Sequence, residues 1–208
     1  MPKSKTSVRR LRAQITRQKL FDTALSLFFE RGYDNVTVDD VCAAVGMTKG
    51  AFYSHFKSKH DILVERVLIL DDYYKLQILP QLAAIDPGVE KVVSFVRLML
   101  RHLKGLGKDA IRAVYYTQIG SKEITSVMTE KRILYKIIQH LVEEAQNSGK
   151  LRDDLSSNEL TQIIMHNIRG ILYNWGLSTS KFDIEESAEG LIKVLATGLQ
   201  KQKRKTGT

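Results

Sequence analysis

An all-α fold is the architecture that this sequence predicts, for three reasons. Apolar residues recur at every third or fourth position through most of the chain, which is the period of an amphipathic helix. No stretch alternates apolar and polar residues over six positions between turn signals, as a half-buried strand does. Only three prolines interrupt the 208 residues, and a chain of this length can bury a substantial core.

The first predicted elements are a basic arm and a helix. Residues 1–12 are rich in Lys and Arg and are predicted to be flexible. A helix is expected from about Ile15 to Arg31, and Gly32 stands where a helix end needs a left-handed residue. One face of this helix is apolar and consists of Leu20, Phe21, Ala24, Leu25, Phe28 and Phe29.

Two short helices joined by a tight turn come next. Thr37 is a candidate N-cap, and Asp40, three residues on, can complete a capping box. Gly46 stops this helix, and Thr48 can cap another almost at once. A glycine turn between two short helices is the pattern of a DNA-binding helix-turn-helix, here over residues 37–56. An ordinary helical hairpin shares the pattern and stays open as the alternative.

The second helix of the pair has a composition that allows close approach to DNA. Gly50 and Ala51 are small, and Lys49 adds a positive charge at the helix start. The free N–H groups at a helix N-terminus can also donate to phosphate, so Thr37 and Thr48 are candidate anchors.

A larger helical region follows. Ser58 and Asp61 predict the cap of a long helix that runs to Pro80. Further helices are expected at about 88–105, 109–120, 123–148, 157–176 and 184–201, the last two preceded by the capping pairs Ser156–Glu159 and Asp183–Glu186.

The charge distribution limits the class of partner. The net charge is +9, and most of the excess lies in the first 60 residues, which favours nucleic acid or an anionic membrane surface. A basic segment that only keeps the chain in solution is the alternative. No apolar run is long enough to span a membrane, no apolar segment of a signal peptide follows the basic start, and the one cysteine, Cys42, permits no internal disulfide. A cytoplasmic protein is therefore predicted.

Three segments of the first third resemble the N-terminal module of the TetR family of bacterial regulators. They are Phe28–Tyr33, Thr37–Val41 and Ala44–Lys59, and the resemblance is dense over residues 14–65. It implies a dimeric transcriptional regulator, most often a repressor, that binds a palindromic operator in double-stranded DNA and is released by a small molecule.

The resemblance also implies a role for each matching position. Thr37 would cap its helix and contact phosphate, Tyr53 and His55 would contact the DNA backbone, and Lys59 would hold another phosphate. Residues 48–51 would lie along the major groove. The predicted DNA-binding set is Thr37, Thr48, Lys49, Gly50, Ala51, Tyr53, His55, Lys57 and Lys59.

Two apolar stripes near the C-terminus admit two interpretations. Neighbouring helices of this kind either complete the core of one chain or pair with their copies in a four-helix dimer interface. Periodicity alone favours the core, whereas the resemblance favours the homodimer. The predicted interface residues are Ile164, Ile168, Ile171, Trp175, Leu191 and Leu195.

The size of the second region suggests that it binds a ligand. It is larger than dimerisation requires, and polar side chains are mixed into its apolar helices, as in a pocket for a largely apolar effector. Each polar side chain can equally belong to a core or an interface, and a constitutive binder of DNA or membrane surfaces is the alternative function. The candidate ligand-binding residues are Tyr115, Tyr116, Gln118, His140, His166, Asn167 and Tyr173.

The sequence contains few residue patterns that are typical of an enzyme active site. The five histidines form no HExxH pair, and the single cysteine lies on an apolar helix face. No catalytic residue, metal site or cofactor is predicted. The chain is thus expected to consist of a flexible basic arm (1–12), a helix-turn-helix DNA-binding domain (13–57), a ligand-binding and dimerisation domain (58–202) and a basic tail (203–208).

Overall fold

The fold confirms the all-α prediction. The computed structural model describes residues 5–108, 111, 112, 115, 132–179 and 182–201, and within these residues there is no strand, only an isolated bridge between Leu151 and Gln200. The described helices are α1 (Lys5–Arg31), α2 (Val38–Val45), α3 (Lys49–Tyr53), α4 (Lys59–Tyr73), α5 (Leu79–Gln81), α6 (Val89–Leu106), α7 (Ile133–Asn147), α8 (Ser157–Leu177) and α9 (Ile184–Leu199).

Helix α1 begins about ten residues earlier than predicted. The segment from Lys5 to Arg12 was expected to belong to a flexible arm, and it forms the first two turns of α1 instead. The arm prediction is wrong for these residues because the segment after Pro2 has no glycine or proline and is rich in helix-favouring Arg, Lys and Leu. The side chains from Val8 to Ile15 are exposed, so this part of α1 projects beyond the core.

The first core joins α1, α2, α3 and the start of α4. It is formed by fourteen buried side chains, of which Leu20 is the first and Leu63 the last. The second core begins at Leu70. The two cores therefore meet inside α4, between Leu63 and Leu70, rather than in a loop ahead of it.

The long helix predicted from Ser58 to Pro80 is present with one irregularity. Ser58 caps α4 by accepting a hydrogen bond from the Asp61 N–H, as predicted. A π-helical turn, Tyr74–Ile78, connects α4 to α5. Pro80 follows directly on this turn as the second residue of α5, and it has no N–H to donate to the preceding helical turn. A π-helical turn inside a helix is often found at a functional site.

The second core packs α6, α7, α8 and α9 against the end of α4. The predicted cap of α8 is confirmed, since Ser156 and Glu159 form a reciprocal capping box. Asp183 caps α9 by accepting from the Glu185 and Glu186 N–H groups. Asp183 also pairs with Lys104 of α6 at 2.7 Å, which connects the start of α9 to a neighbouring helix.

Some predictions fall outside the described residues. They include most of the helix expected at 109–120, the first part of the helix expected at 123–148 and the basic tail at 203–208. Within the described part of the chain, no helix combines the length and the hydropathy that crossing a membrane demands.

Candidate nucleic-acid interface

The turn between α2 and α3 is built from strong local signals. Thr37 and Asp40 form the predicted capping box: the Thr37 N–H donates to Asp40 Oδ2 at 2.7 Å, and the Asp40 N–H donates to Thr37 Oγ1 at 3.1 Å. The hydrogen bonds from Thr37 lower the pKa of the Asp40 carboxyl. Gly46 ends α2 at a φ of 69°, a left-handed conformation that favours glycine. Thr48 caps α3 by accepting from the Ala51 N–H at 3.3 Å.

Helix α3 divides into an inner and an outer side. Phe52 and Phe56 are buried, with ring centroids 5.7 Å apart. Tyr53 packs edge-on against Phe52 at 5.5 Å, yet 53% of it is exposed. The core thus fixes the Tyr53 ring while part of it remains on the surface. The other exposed residues along this side are Thr48, Lys49, Gly50 and Ser54, and Ala51 is half-buried.

Lys49 contacts the preceding helix. Its ammonium lies 2.9 Å from the Asp39 carboxylate, and both side chains are largely exposed. The hydrogen bond that Lys49 donates to Asp39 raises the pKa of Lys49, so the side chain is a cation at neutral pH. An exposed ion pair of this kind is weak, and a phosphate can compete with Asp39 for the ammonium.

The segment after α3 contributes two further predicted residues. His55 is half-buried and Lys57 is exposed. The Lys57 N–H donates to Asp61 Oδ2 at 2.7 Å, so the backbone is fixed at the start of α4 while the Lys57 side chain extends outward.

Lys59 differs from the prediction. Its ammonium donates to the carbonyl oxygens of Tyr33 at 2.8 Å and Val36 at 2.9 Å. It also lies 4.2 Å from the centre of the Tyr33 ring, and burial lowers the pKa of Lys59. The expectation that this ammonium holds a phosphate is therefore corrected: it is directed inward, where it fixes the loop between α1 and α2.

Helix α1 is joined to the module by contacts that sequence reasoning missed. Arg17 forms a two-pronged hydrogen bond with Glu65 of α4, with Nη1 to Oε1 at 2.6 Å, and its guanidinium lies 4.7 Å from the centre of the Phe56 ring. Lys19 donates to the Val45 carbonyl at 3.4 Å. The sequence shows a basic residue, Arg17, one turn before the apolar face of α1. It does not show the partner of that residue, because Glu65 is 48 residues away.

Four of the predicted interface residues belong to the core of a single chain. Each is at most 9% exposed, so none of the four is available to a second copy: Ile164, Ile168, Trp175 and Leu195. Placing these four residues in a dimer interface is wrong. A regular spacing reveals an apolar face but does not show whether the same chain or a second chain covers it.

The other two predicted interface residues border an open groove between α8 and α9. Ile171 and Leu191 are half-buried. Ile163 and Val194, on the same two helices, are 41% and 71% exposed. The groove is lined by His166, Asn167, Gly170, Ile171, Asn174, Phe182, Ser187 and Leu191.

The predicted ligand residues are scattered. Tyr115 is partly buried, and its hydroxyl donates to the Arg169 carbonyl at 3.1 Å. Burial raises the pKa of Tyr115 to about 12. Tyr173 contacts the Tyr115 ring at 5.9 Å but is 42% exposed. Tyr116 and Gln118 lie outside the described residues.

Three of the candidates face away from the second core. His140 pairs with Glu144 at 3.5 Å on the exposed side of α7, and 70% of its side chain is accessible. His166 is exposed, and Asn167 donates to the Ile163 carbonyl of its own helix at 2.8 Å. His140 lines neither the second core nor the groove between α8 and α9, whereas His166 and Asn167 line that groove, so their place in a ligand site stays a prediction.

A buried polar cluster was missed altogether. The carboxylate of Asp71 is 3% exposed and pairs with Arg132 Nε at 3.0 Å. Burial raises the pKa of Asp71. The sequence signal was available, since Asp71 lies between Leu70 and Tyr74 on the buried side of α4. Among the described residues, no three or more His, Cys, Asp or Glu side chains gather in a way that could hold a metal ion.

Comparison with known proteins identifies the family. Residues 20–65 match the family model described as bacterial regulatory proteins, tetR family. Residues 77–198 match the model described as YsiA-like protein, C-terminal region, which covers more than half of the chain. The chain belongs to the TetR family. Its relatives are transcriptional regulators that bind DNA through a helix-turn-helix, and they are not enzymes.

Individual proteins are similar over different lengths. The chain is 28% identical to the HTH-type transcriptional regulator AcrR of Shigella flexneri over 193 residues, 88% of each protein. It is 40% identical to IcaR, the negative transcriptional regulator of the biofilm operon icaADBC of Staphylococcus aureus (strain Newman). That match spans 57 residues, 27% of this chain and 31% of IcaR.

Among solved structures, the TetR-family repressor FadR of Thermus thermophilus, in complex with lauroyl-CoA, has the same fold. The TM-score is 0.67 at 20% identity, over 92% of this chain and 99% of that one. Both modules of this TetR-family chain therefore have counterparts in a solved regulator.

Proposed function

We propose that this TetR-family regulator is a repressor that binds a palindromic operator as a homodimer and is released by a small-molecule effector. Because the operator is bacterial DNA, the protein would act in the cytoplasm. The observation that carries the proposal is the two-sided α3. Phe52 anchors its inner side in the first core, and the outer side exposes small and polar residues beside Tyr53.

The DNA contacts follow from this arrangement. The absence of a side chain at Gly50 and the methyl group of Ala51 allow α3 to approach base edges in the major groove. The capped helix starts at Thr37 and Thr48 present N–H groups to phosphate. The proposed DNA-binding set is Thr37, Thr48, Lys49, Gly50, Ala51, Tyr53, His55 and Lys57, with Lys59 acting through the position of the Tyr33–Val36 loop.

The projecting turns of α1 extend this surface. Arg9, Arg10 and Arg12 are exposed and lie beyond the first core. Since Arg17 fixes α1 to α4, these cations hold a defined position relative to α3. We infer that they add phosphate contacts, which strengthen binding to any duplex and increase its salt dependence.

The homodimer is proposed to form at the groove between α8 and α9. Ile163, Ile171, Leu191 and Val194 place apolar surface there. A single α3 has only five residues and reaches few bases, so specific binding needs two copies on two half-sites. Of the predicted interface residues, Ile171 and Leu191 stay in this proposal.

The effector is proposed to be a largely apolar small molecule bound within the second core. The region from 77 to 198 matches a family C-terminal region, and FadR, which resembles this chain in fold, was solved with lauroyl-CoA. Among the candidate ligand-binding residues, Tyr115 fits a buried site, since its hydroxyl lies beside α8 in partly buried surroundings.

Selection of DNA from a random duplex library tests the proposal. Purified chain at low ionic strength should enrich an inverted repeat whose half-site centres are about 34–36 Å apart, one turn of the duplex. Affinity for the enriched duplex should then fall steeply as salt rises, because phosphate contacts release counterions. Failure to enrich any sequence at low salt would exclude sequence-specific DNA binding.

A further inference from the structure

The projecting start of α1 carries three apolar side chains on its surface. Val8, Leu11 and Ile15 are 39%, 53% and 60% exposed. Their spacing of three and then four residues places them on a single face of the helix, as the α1 stripe. Gln18 and Asp22 continue this face, but both are exposed and polar, and they share a hydrogen bond of 2.9 Å. The α1 stripe is therefore about two turns long.

The α1 stripe faces away from the first core. Side chains nine positions apart lie on opposite sides of an α-helix, because nine residues make about two and a half turns. Leu20 follows Leu11 at this distance, and Ala24 follows Ile15. Leu20 and Ala24 are both 0% exposed and belong to the first core. The stripe is thus open to a partner that approaches from outside the module.

Positive charge surrounds the α1 stripe. Arg9, Arg10 and Arg12 are exposed on the same two turns of the helix. The first acidic residue of the sequence is Asp22, so no carboxylate of α1 lies within one turn of these arginines, where it could neutralise them. A partner that covers this surface must therefore supply both apolar surface and negative charge.

An anionic lipid membrane meets both requirements. The phosphates of DNA can pair with the arginines, but they do not take aliphatic side chains out of water. A second copy of the chain would cover the stripe only by bringing two sets of arginines together, and like charges repel. A folded protein partner needs a larger surface, since a standard interface buries about 800 Å² on each side. The boundary layer of a bilayer takes up aliphatic side chains, and its anionic lipids attract cations.

We propose that the start of α1 binds the surface of an anionic lipid membrane. The α1 stripe enters the boundary between headgroups and acyl chains. Arg12 lies beside the stripe, four positions after Val8 and three before Ile15, so its guanidinium meets the lipid phosphates directly. Arg9 and Arg10 lie on either flank and reach the headgroups with their long side chains. This surface goes beyond the proposed function, in which α1 contributes only phosphate contacts to DNA.

Membrane and operator compete for the same arginines. The proposed function places Arg9, Arg10 and Arg12 against DNA phosphates, and this consequence of the inference rests on that placement. A guanidinium that pairs with a lipid phosphate is not free to pair with DNA. Chain that is held on a membrane is therefore withdrawn from its operator.

Sedimentation with lipid vesicles tests the inference. The purified full-length chain is mixed at low ionic strength with vesicles of equal parts phosphatidylglycerol and phosphatidylcholine, or with vesicles of phosphatidylcholine alone. Affinity for the anionic vesicles should be at least about tenfold higher, because the arginines contribute only there. An excess of the selected operator duplex should release the chain from the anionic vesicles.

Three variants separate the stripe from the charge. The double variant Leu11→Gln, Ile15→Gln keeps the charge and the helix propensity. It should bind anionic vesicles about tenfold or more weakly and the operator like the wild type, because only apolar surface is lost. Replacing the three arginines with glutamine should weaken binding to both. Leu177→Gln is the matched control, since Leu177 is 57% exposed at the end of α8, and it should bind vesicles like the wild type.

The inference is overturned if the wild type sediments equally with both kinds of vesicle or with neither. It is also overturned if the double variant keeps the wild-type affinity for anionic vesicles, since charge alone would then explain binding. Equal losses of vesicle and operator affinity in the double variant would make the stripe a DNA contact instead. The proposed function fails on different evidence, namely that the chain enriches no duplex. Wild-type protein that binds its selected operator but no anionic vesicle refutes this inference alone.

Discussion

The two cores treat polar groups in opposite ways. In the first core the buried side chains described are apolar apart from Tyr33 and Cys42, and the polar residues of α2 and α3 lie on the surface. The second core contains Asp71 and Thr161, each at most 2% exposed, as well as the hydroxyl of Tyr74. A core of apolar side chains with polar groups on its outer surface is suited to reading DNA. A core with inward polar groups is suited to a ligand.

The largest expected effects come from creating a cavity in each core, which tests whether the two cores unfold independently. Phe52 and Phe95 are both 0% exposed, one in each core. Phe52→Ala should destabilise the first module by about 3–5 kcal/mol and abolish DNA binding. Phe95→Ala should cost the second core a similar amount. Hydrogen exchange followed by mass spectrometry should show protection lost mainly in the module that carries the substitution.

An equal loss of protection in both modules from either substitution would contradict this separation. It would mean that α4 makes one cooperative unit of the two cores.

Substitutions on α8 and α9 sharpen the comparison by separating interface from core. Val194→Asp places a charge on the exposed side of the α8–α9 groove and should yield a folded monomer near 23.6 kDa, whereas the proposed wild-type homodimer should have twice that mass. Trp175→Asp should unfold the second core, because Trp175 is buried within one chain. Light scattering and circular dichroism measure the two effects.

Leu68→Asp is the control for this experiment, since Leu68 is 59% exposed on α4 and lies away from the groove. A Val194→Asp protein that keeps the wild-type mass would place the dimer interface elsewhere.

Two lysines near the start of α4 are expected to have different roles. One stabilises the first module, and the other contacts DNA. Lys59→Ala removes the side-chain donor to the Val36 carbonyl and one of the two donors to the Tyr33 carbonyl, and it should destabilise the first module by about 1–3 kcal/mol. Lys57→Ala should leave stability unchanged and reduce the slope of log K against log salt by about one. Chemical denaturation and salt titrations of operator binding measure the two quantities. Reversed outcomes would return Lys59 to the DNA surface.

The smallest expected effect is the acid sensitivity of the α2 cap. Hydrogen bonds from Thr37 lower the pKa of Asp40 below its ordinary 3.8. A lowered carboxyl pKa stabilises the fold above the ordinary value, and this stability is lost as the pH falls below it. Asp40→Asn should therefore melt below the wild type at pH 6, and the difference should shrink as the pH falls through the lowered pKa of Asp40. Asp86→Asn, at an exposed carboxylate of the other region, should show no such difference.

Local signals made the first module predictable. The caps at Thr37, Thr48 and Ser58 depend on residues within three positions, and the left-handed turn at Gly46 depends on one. Lys59 was assigned wrongly because its acceptors lie 26 and 23 residues away. A contact between residues so far apart in the chain cannot be predicted from a short segment of sequence.

The second region was predicted less well for a related reason. The spacing of Ile164, Ile168 and Trp175 marks an apolar stripe but does not say whether α6 and α7 or a second chain covers it. The ion pair of Asp71 with Arg132 spans 61 residues. Polar groups inside a core are fixed by tertiary packing, so the sequence alone gave a set of candidates in which Tyr115 and Asn167 proved partly buried among the residues described.

The central claim is that the outer side of α3 lies in a DNA groove, and one paired substitution tests it most directly. Tyr53 and Tyr173 are exposed to similar extents, 53% and 42%, on α3 and α8. The affinity of each alanine variant for the selected operator is measured at a fixed, low salt concentration. Tyr53→Ala should weaken binding about tenfold or more, as loss of a charge-assisted phosphate hydrogen bond would, while Tyr173→Ala binds like the wild type. Equal affinity of Tyr53→Ala and the wild type would contradict the placement of α3 against DNA.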